Sequence, residues 1–366
     1  MILVAGHVCL DIIPSLARMP DFTPGRLNEI GEAKLSVGGA VGNVSQALHR
    51  LGTPAAAFGA IGRDGFGRLL HQTLQTDAVH LETHDSAATS YTVVVSAPGE
   101  DRVFLHHSGA NDVFTGGDLV AFLESKANDA PWRWLHFGYP PLMRSTFEDG
   151  GESLASGFQI ARSMGMRVSL DLATLDPAAA MQTDWPSVLA RLLPEVDLFA
   201  PSYSDLASLS EPWTAEADHN SVRSAADWAL ASGAQAVLIK LGDLGAYLKT
   251  GGATPFGSSW DGRELASGNY RVETRGTTGS GDATIAGFLA ALADGAPPEE
   301  ALNFANAVGA ASVERLDGSS ALPSRRVLQD RMLAGWSRQP GLAMPQATPL
   351  ETGLIAGPDD RKGKRV

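Results

Sequence analysis

The chain has 366 residues, 44% of them hydrophobic, so it can bury a sizeable core in one large domain or two smaller ones. Its 41 acidic and 28 basic residues give a net charge of −13, which argues against nucleic acids and anionic membranes as partners. A single cysteine excludes an internal disulfide framework, and no apolar run is as long as a membrane span. We therefore expect a cytoplasmic protein.

Strand-like apolar runs alternate with Ala- and Leu-rich helical patterns along the chain. In chain order, the predicted elements are strand Ile2–Val4, helix Asn43–Leu51, strand Ala55–Ala60, helix Gly65–Thr73, strand Trp134–Phe137, helix Leu154–Met164, strands Arg167–Leu172 and Leu198–Ala200, helix Val222–Ser232, strand Ala236–Lys240 and helix Pro298–Leu316. This alternation predicts an α/β fold with a central, mostly parallel sheet and helices on both faces. Ligands of such folds bind beyond the carboxyl ends of the strands.

Three segments depart from the alternation. Residues 12–36 show little helical periodicity, and residues 88–107 contain two β-rich runs, Ser90–Ser96 and Arg102–His106, with a turn cluster between them. We predict that both segments form a small sheet outside the main one, which could act as a lid. From residue 339 to residue 366, Pro, Gly, Thr and charged residues dominate, so we predict one domain over residues 1–338 and a poorly ordered tail.

The strongest chemical signal is the small-residue loop Thr278-Gly279-Ser280-Gly281-Asp282, which runs directly into an apolar, Ala-rich helix. Free N–H groups and the helix dipole favour an anion at such a helix start. A carboxylate beside an anion site suits a base that accepts a hydroxyl proton while the N–H groups hold a transferring phosphoryl group. The alternative is a Gly-rich helix cap.

A second glycine cluster, Val37–Asn43, also precedes a helix. Gly38 and Gly39 allow the backbone to approach a ligand closely, and Asn43 offers both donors and an acceptor to a hydroxyl-bearing ligand. Asp11 follows the first strand, where an exposed carboxylate can accept hydrogen bonds from hydroxyls. The alternatives are a helix cap at Asn43 and a solvated loop residue at Asp11.

Taken together, the order of these motifs resembles the ribokinase-like PfkB family of carbohydrate and nucleoside kinases. The resemblance extends from about residue 2 to about residue 323. The matching motifs are Gly6…Asp11, Gly38-Gly39…Asn43, Gly59-x-x-Gly62-x-Asp64-x-x-Gly67, Lys240-x-Gly242-x-x-Gly245 and Thr278-Gly279-Ser280-Gly281-Asp282. The resemblance implies a ribokinase-like fold with a small β-sheet lid, and ATP-dependent phosphorylation of a hydroxyl, expected to be primary, of a small neutral sugar. It also implies Mg²⁺ as a cofactor and a possible homodimer through the lid.

The same resemblance assigns roles to residues of this chain. For catalysis it implies Asp282 as the base and Gly279, Ser280 and Gly281 as the anion hole. For the sugar it implies Asp11, Gly38, Gly39 and Asn43. For ATP it implies Lys240, Gly242, Gly245, Thr278 and Asn306.

Three positions depart from the family pattern. Gly276 stands where the family loop begins with Asp, so activation by a monovalent cation is doubtful. Ser202 and Asp205 stand where the family has N-x-x-E, so Asp205 is expected to act on Mg²⁺ only indirectly. Leu175 replaces an Arg that would hold the carboxylate of an acidic sugar, which favours a neutral one.

Two other functions stay open on the sequence. A nucleoside kinase would need an apolar or aromatic wall in the lid, and four residues could provide it: Tyr91, Phe104, His106 and His107. A non-catalytic relative that binds a sugar or nucleotide is suggested by the changes at Gly276 and Ser202, although Asp282 argues against it because binding alone does not need a base.

Overall fold

The computed structural model describes residues 1–98, 102–126, 132–209, 213, 216–314, 322–351 and 353–364. The strands are β1 (Ile2–Gly6), β2 (Cys9–Pro14), β3 (Ala33–Gly38), β4 (Ala55–Gly62), β5 (Ala78–His84), β6 (Tyr91–Val95), β7 (Val103–His107), β8 (Trp134–Gly138), β9 (Arg167–Leu170), β10 (Leu198–Phe199), β11 (Ala236–Lys240), β12 (Ala246–Thr250), β13 (Glu264–Ser267), β14 (Thr348–Pro349) and β15 (Ile355–Ala356). The helices are α1 (Gly39–Arg50), α2 (Gly65–Thr73), α3 (Gly116–Ser125), α4 (Glu152–Ser163), α5 (Pro177–Ala180), α6 (Trp185–Leu192), α7 (Tyr203–Leu209), α8 (His219–Ala231), α9 (Ser280–Ala293), α10 (Pro298–Ser312) and α11 (Arg325–Leu333).

The main sheet has the strand order β14-β15-β13-β12-β11-β10-β9-β8-β1-β4-β5. From β5 to β11 neighbouring strands are parallel, and beyond β11 they are antiparallel. The prediction of a central, mostly parallel sheet is therefore confirmed. The carboxyl ends of seven parallel strands meet along one edge, and the residues that follow these ends are placed close together.

Helices cover both faces of this sheet. Alternate side chains of a strand point to opposite faces, so Leu3 and Ala5 pack in a core with α3, α4, α6 and α8, whereas Ile2 and Val4 pack with α1, α9 and α10. Burial on both faces explains why β1 is apolar throughout, the pattern from which the sequence predicted a strand.

A separate four-stranded sheet has the order β3-β2-β6-β7, with β2 and β6 parallel and the other pairs antiparallel. It contains the predicted hairpin, although the turn residues 99–101 lie outside the described residues. Its outer strand β7 is exposed along its whole length, including Phe104, which is 50% exposed. Its use as a lid remains a prediction.

The segment after α11 differs from the poorly ordered tail predicted from sequence. In its described part, β15 pairs with the edge strand β13, and β14 pairs with β15. Leu342, Leu354 and Ala356 are buried. The prediction of a poorly ordered tail failed because each strand has only two residues, too few to show a period of alternating side chains. The strands form because β13 offers unpaired backbone groups at the sheet edge.

Smaller differences concern element ends. Strand β9 ends at Leu170, two residues before the predicted end, so Asp171 lies beyond the sheet edge. Helix α10 ends at Ser312, and residues 315 and 316 of the predicted helix lie outside the described part. None of the described helices is both long and apolar enough to cross a membrane.

Candidate active site

The predicted site residues converge at the carboxyl edge of the parallel strands. Lys240 is the last residue of β11, while Tyr139 and Asp171 follow β8 and β9 directly. The N-terminus of α9 lies over this edge, and α1 packs beside α9 in the same layer. Sheet order, rather than proximity in sequence, therefore builds the site.

The loop Thr278–Asp282, called the anion loop from here on, is shaped by Gly279. This residue is the N-cap of α9 and has φ 73°. This left-handed conformation suits glycine, and no side chain caps the helix. Ser280 N donates to the Thr277 carbonyl oxygen at 3.2 Å. Within the described part of the chain, the N–H groups of Gly281 and Asp282 have no backbone acceptor. The helix start thus presents N–H donors to an anion.

Asp282 is in the first turn of α9 and is 1% exposed. Its Oδ2 accepts a hydrogen bond from Asn43 Nδ2 at 2.9 Å, and the Tyr139 hydroxyl lies 2.8 Å from each carboxylate oxygen. Burial raises the pKa of Asp282, while the positive charge of Lys240 and the two hydrogen bonds oppose that rise. Asn43 therefore contacts the predicted base directly.

Lys240 forms a buried ion pair with Asp171. Its Nζ lies 2.8 Å and 2.9 Å from the two carboxylate oxygens, and the two residues are 8% and 1% exposed. Burial raises the pKa of Asp171 to about 7, and the ammonium of Lys240 opposes that shift. A Cβ at Gly281 would lie 3.5 Å from Lys240 Nζ, so the ammonium lies next to the anion loop.

Asp11 is held in β2 beside the second glycine cluster. A Cβ at Gly38 would overlap its carboxylate, which is why glycine is required there. Cys9 Sγ donates to Asp11 Oδ1 at 3.4 Å, and burial raises the pKa of Asp11 to about 6. Gly39 has φ 74°, and a Cβ there would lie 2.6 Å from His7 Nδ1. Asp11 and Asn43, far apart in sequence, both lie near Asp282, whose charge acts on Asp11.

The small sheet contacts the site at two points. Arg102 Nη1 donates to Thr278 Oγ1 at 3.0 Å, which joins the predicted lid to the anion loop. On the other side, His106 Nε2 lies 3.3 Å from His7 Nε2 at the end of β1, and its Nδ1 lies 2.9 Å from Thr92 Oγ1. Residues of the small sheet therefore close over the carboxyl edge of the main sheet.

Three of the residues predicted to bind ATP, Gly242, Gly245 and Asn306, gather around the end of β13. Asn306 Nδ2 donates to the Ser267 carbonyl oxygen at 3.1 Å, and Asn269 Nδ2 donates to the Gly242 carbonyl oxygen at 3.2 Å. Gly245 has φ 87°, and a Cβ there would overlap the Ser267 carbonyl. The other two residues of the predicted set lie apart from them: Lys240 pairs with Asp171, and Thr278 contacts Arg102 in the anion loop.

Asp205 lies at the start of α7, where its Oδ2 accepts from Ser202 N and its Oδ1 from Thr174 Oγ1, each at 2.8 Å. Its charge also acts on Asp282. Of the His, Cys, Asp and Glu side chains that the structure describes, no three are grouped so that they could hold a metal ion. Asp205 alone therefore does not make a metal site.

Sequence reasoning missed four residues of the site, His7, Arg102, Tyr139 and Asp171, and named His106 only as part of a possible aromatic wall. Tyr139 and Asp171 carried a usable signal, because each directly follows a predicted apolar strand, and ligands of parallel sheets bind at that end. His7 and Arg102 carried none, because nothing in a single sequence indicates how the hairpin packs against the main sheet.

Comparison with known proteins gives the same family throughout. A family model described as pfkB family carbohydrate kinase matches residues 1–325. The chain is 27% identical over 296 residues to a ribokinase of Schizosaccharomyces pombe, covering 78% of this chain and 83% of the relative. It is 29% identical over 301 residues to an aminoimidazole riboside kinase of Salmonella typhimurium, covering 78% and 84%. The solved structure of Arabidopsis thaliana ribokinase complexed with ribose and ATP has a TM-score of 0.69 and 21% identity, covering 92% of this chain and 99% of that one.

Proposed function

The chain belongs to the pfkB family of carbohydrate kinases, and from this premise we propose that it phosphorylates a primary hydroxyl of a small neutral sugar with ATP. The observation that supports this most directly is the setting of Asp282. It is a buried carboxylate in the first turn of a helix whose N-terminus faces an anion loop, and it has hydrogen-bond donors on both oxygens.

In the proposed reaction, Asp282 accepts the proton of the substrate hydroxyl. The hydroxyl oxygen forms a bond to the γ-phosphorus of ATP, and the bond between that phosphorus and the β–γ bridging oxygen breaks, so ADP leaves. The N–H groups at the start of α9, the helix dipole and the ammonium of Lys240 stabilise the negative charge on the transferring group. Arg102 lies at the same loop through Thr278 and adds positive charge there.

On the sugar side, we assign hydroxyl binding to Asp11, Gly38, Gly39 and Asn43. A neutral sugar is supported by Leu175, which is 9% exposed and occupies the position where a guanidinium would be needed for an acidic sugar. The cations described at this edge, Lys240 and Arg102, contact Asp171 and Thr278. Lys240 lies next to Gly281 and Arg102 contacts Thr278, so both cations lie at the loop that we assign to the phosphoryl group.

ATP binding is assigned to Gly242, Gly245, Thr278 and Asn306, with Mg²⁺ bound mainly by the phosphates. The lack of a three-residue metal cluster in the described part of the chain fits this, because Mg²⁺ keeps several waters and binds through one or two carboxylates plus substrate phosphates. Asp205 would hold it through water. When bound, Mg²⁺ neutralises charge on the phosphates.

A nucleoside substrate is less well supported. Of the four lid residues that could form an aromatic wall, Tyr91 packs against Phe66 and His107, and Phe104 is 50% exposed. Only His106 contacts the site, through His7. A non-catalytic role is less well supported. Asp282 is present and accepts hydrogen bonds from Asn43 and Tyr139, and binding alone does not need a base.

The test is a screen of ADP release with D-ribose, D-fructose, D-glucose, adenosine and aminoimidazole riboside, followed by Asp282→Asn on the best substrate. The Asn variant keeps the shape of the side chain and removes its basicity, so turnover should fall by about 10²–10⁴-fold with ATP affinity nearly unchanged. Asp294→Asn, at the opposite end of α9, is the matched control and should keep its turnover. Near-normal turnover of Asp282→Asn would refute the assignment, and a preference for adenosine would establish the nucleoside alternative.

A further inference from the structure

Tyr139 has an unusual backbone conformation at the edge of the site. With φ 66° and ψ 41° it is left-handed, and among the described non-glycine residues only Gln346 shares a positive φ. The following residue is Pro140, which normally favours an extended conformation in the residue before it. A bulky side chain in this conformation is strained, and such strain persists only where the surroundings enforce it.

The contacts around Tyr139 enforce this conformation. Its hydroxyl lies 2.8 Å from both carboxylate oxygens of Asp282, 143 residues away in sequence. Its backbone N–H points to the Asp171 carbonyl oxygen at 3.4 Å, and its ring lies 5.9 Å from that of His7. The strained turn thus aims one hydroxyl at the carboxylate proposed as the base.

We propose that Tyr139 is a positioning residue for Asp282. The tyrosine hydroxyl fixes the orientation of the carboxylate and keeps it ionised until the substrate hydroxyl binds. The inference rests on the proposed role of Asp282 as the base. Nothing in the sequence pattern assigned a role to this tyrosine.

Asp282 needs such support because most of its surroundings oppose its charge. It is buried, and the carboxyl groups of Asp11 in β2, Asp171 after β9 and Asp205 in α7 act on it. Burial raises its pKa most, and Asp205 adds to the rise.

Three groups favour the ionised form of Asp282. They are Lys240 in β11, Asn43 in α1 and Tyr139 after β8. Lys240 contributes most of the three although it is shared with Asp171, and the hydrogen bonds from Tyr139 and Asn43 add to its effect. A base that became protonated in the free enzyme could not accept a proton from the substrate.

The geometry leaves room for the substrate hydroxyl. Asn43 occupies Oδ2, whereas within the described part of the chain Oδ1 accepts only from Tyr139. A carboxylate offers about four lone-pair sites, so Oδ1 keeps one for the incoming hydroxyl. The tyrosine therefore orients the carboxylate without blocking its reaction.

The experiment is the pH dependence of kcat/KM for Tyr139→Phe, measured with Mg-ATP and whichever of D-ribose and D-fructose is the better substrate. The variant keeps the ring and removes the donor. The ionised form of Asp282 loses a stabilising hydrogen bond in this variant, so the pKa of Asp282 rises. The acid limb of the profile should therefore move to higher pH by about one unit or more. The loss at high pH should be much smaller. An acid limb that coincides with that of the unmodified enzyme would overturn the proposal.

Tyr247→Phe is the matched control. Its buried hydroxyl donates to Glu264 Oε1 at 2.7 Å within the sheet, away from the site, so its removal should leave the pH profile unchanged. If Tyr139→Phe does not fold, 3-fluorotyrosine placed at position 139 keeps the packing and strengthens the donor. The acid limb should then move to lower pH, and no movement would overturn the proposal.

The two proposals fail in different ways. If Asp282→Asn keeps its turnover, the assignment of the base fails whatever Tyr139 does. If Asp282→Asn is inactive but the acid limb of Tyr139→Phe is unchanged, only the role of Tyr139 fails.

Discussion

At the scale of single residues, Asp11 shows how a glycine makes room for a functional side chain. Its carboxylate occupies the volume that a Cβ at Gly38 would take, and it is 7% exposed. Burial raises its pKa to about 6, so it is mostly ionised at neutral pH and becomes protonated as the pH falls through that value. An ionised, partly desolvated carboxylate is a strong acceptor for sugar hydroxyls.

We predict that Asp11→Ala lowers kcat/KM for the sugar by about 10- to 150-fold, because a hydrogen bond to a charged group contributes about 1.5–3 kcal/mol. The KM for ATP should change little. Gly38→Ala should show a similar loss by displacing the carboxylate, whereas Gly65→Ala, where the nearest atom to the new Cβ lies 3.8 Å away, should not. An unchanged kcat/KM for the sugar in Asp11→Ala, by steady-state kinetics, would show that this carboxylate does not bind the sugar.

At the scale of elements, the anion loop and α9 are continuous in the chain. The residues that precede them are hydrogen-bonded to Val313, the C-cap of α10. The N–H groups of Arg275 and Gly276 both donate to the Val313 carbonyl oxygen, at 2.7 Å and 3.2 Å. That carbonyl is thus engaged by backbone donors. Gly276 itself provides no carboxylate that could compensate the charge of a monovalent cation beside the loop.

We predict that activity is nearly independent of K⁺ at constant ionic strength. The measurement exchanges K⁺ for tetramethylammonium while total salt is held fixed, because screening alone changes rates between charged partners. Gly276→Asp should introduce a response to K⁺ by adding an anionic group. Strong activation of the unmodified enzyme by K⁺ would show that carbonyl oxygens suffice and that the glycine has no such effect.

At the scale of the whole molecule, the segment made of residues 338–351 and 353–364 is part of the folded body. Arg263, 2% exposed, forms a two-point ion pair with Asp360 at 2.8 Å and 3.1 Å and a further pair with Glu299 at 2.8 Å. Arg338 donates to the Gly268 carbonyl oxygen at 3.0 Å and to the Tyr270 hydroxyl at 2.6 Å. The segment therefore packs beside the residues predicted to bind ATP.

We predict that Asp360→Ala lowers the free energy of unfolding by about 3 kcal/mol, since removing one partner of a buried ion pair leaves a buried charge poorly compensated. Asp359→Ala is the control: this neighbouring carboxylate is 43% exposed, and exposed pairs contribute at most about 1 kcal/mol. Urea denaturation of both variants measures the difference. Equal stability of Asp360→Ala and the unmodified protein would mean that the segment does not dock as described.

The features of this protein that could be predicted from its sequence are local ones. The anion loop could be predicted because its N–H groups, its left-handed glycine and Asp282 belong to one stretch of chain at one helix start. Strands β1, β4 and β11 could be predicted because a strand buried on both faces is a continuous apolar run.

The tertiary structure decided what those local features contact. Asn43 reaches Asp282 across 239 residues, and Lys240 reaches Asp171 across 69. Apolar patterning identifies strands but says nothing about which strands are neighbours. The order of β8, β9 and β11 in the sheet, and the packing of α1 against α9, therefore determine which side chains surround Asp282. The same holds for β14 and β15, which are too short to show a pattern and form only because the edge of β13 is there to pair with them.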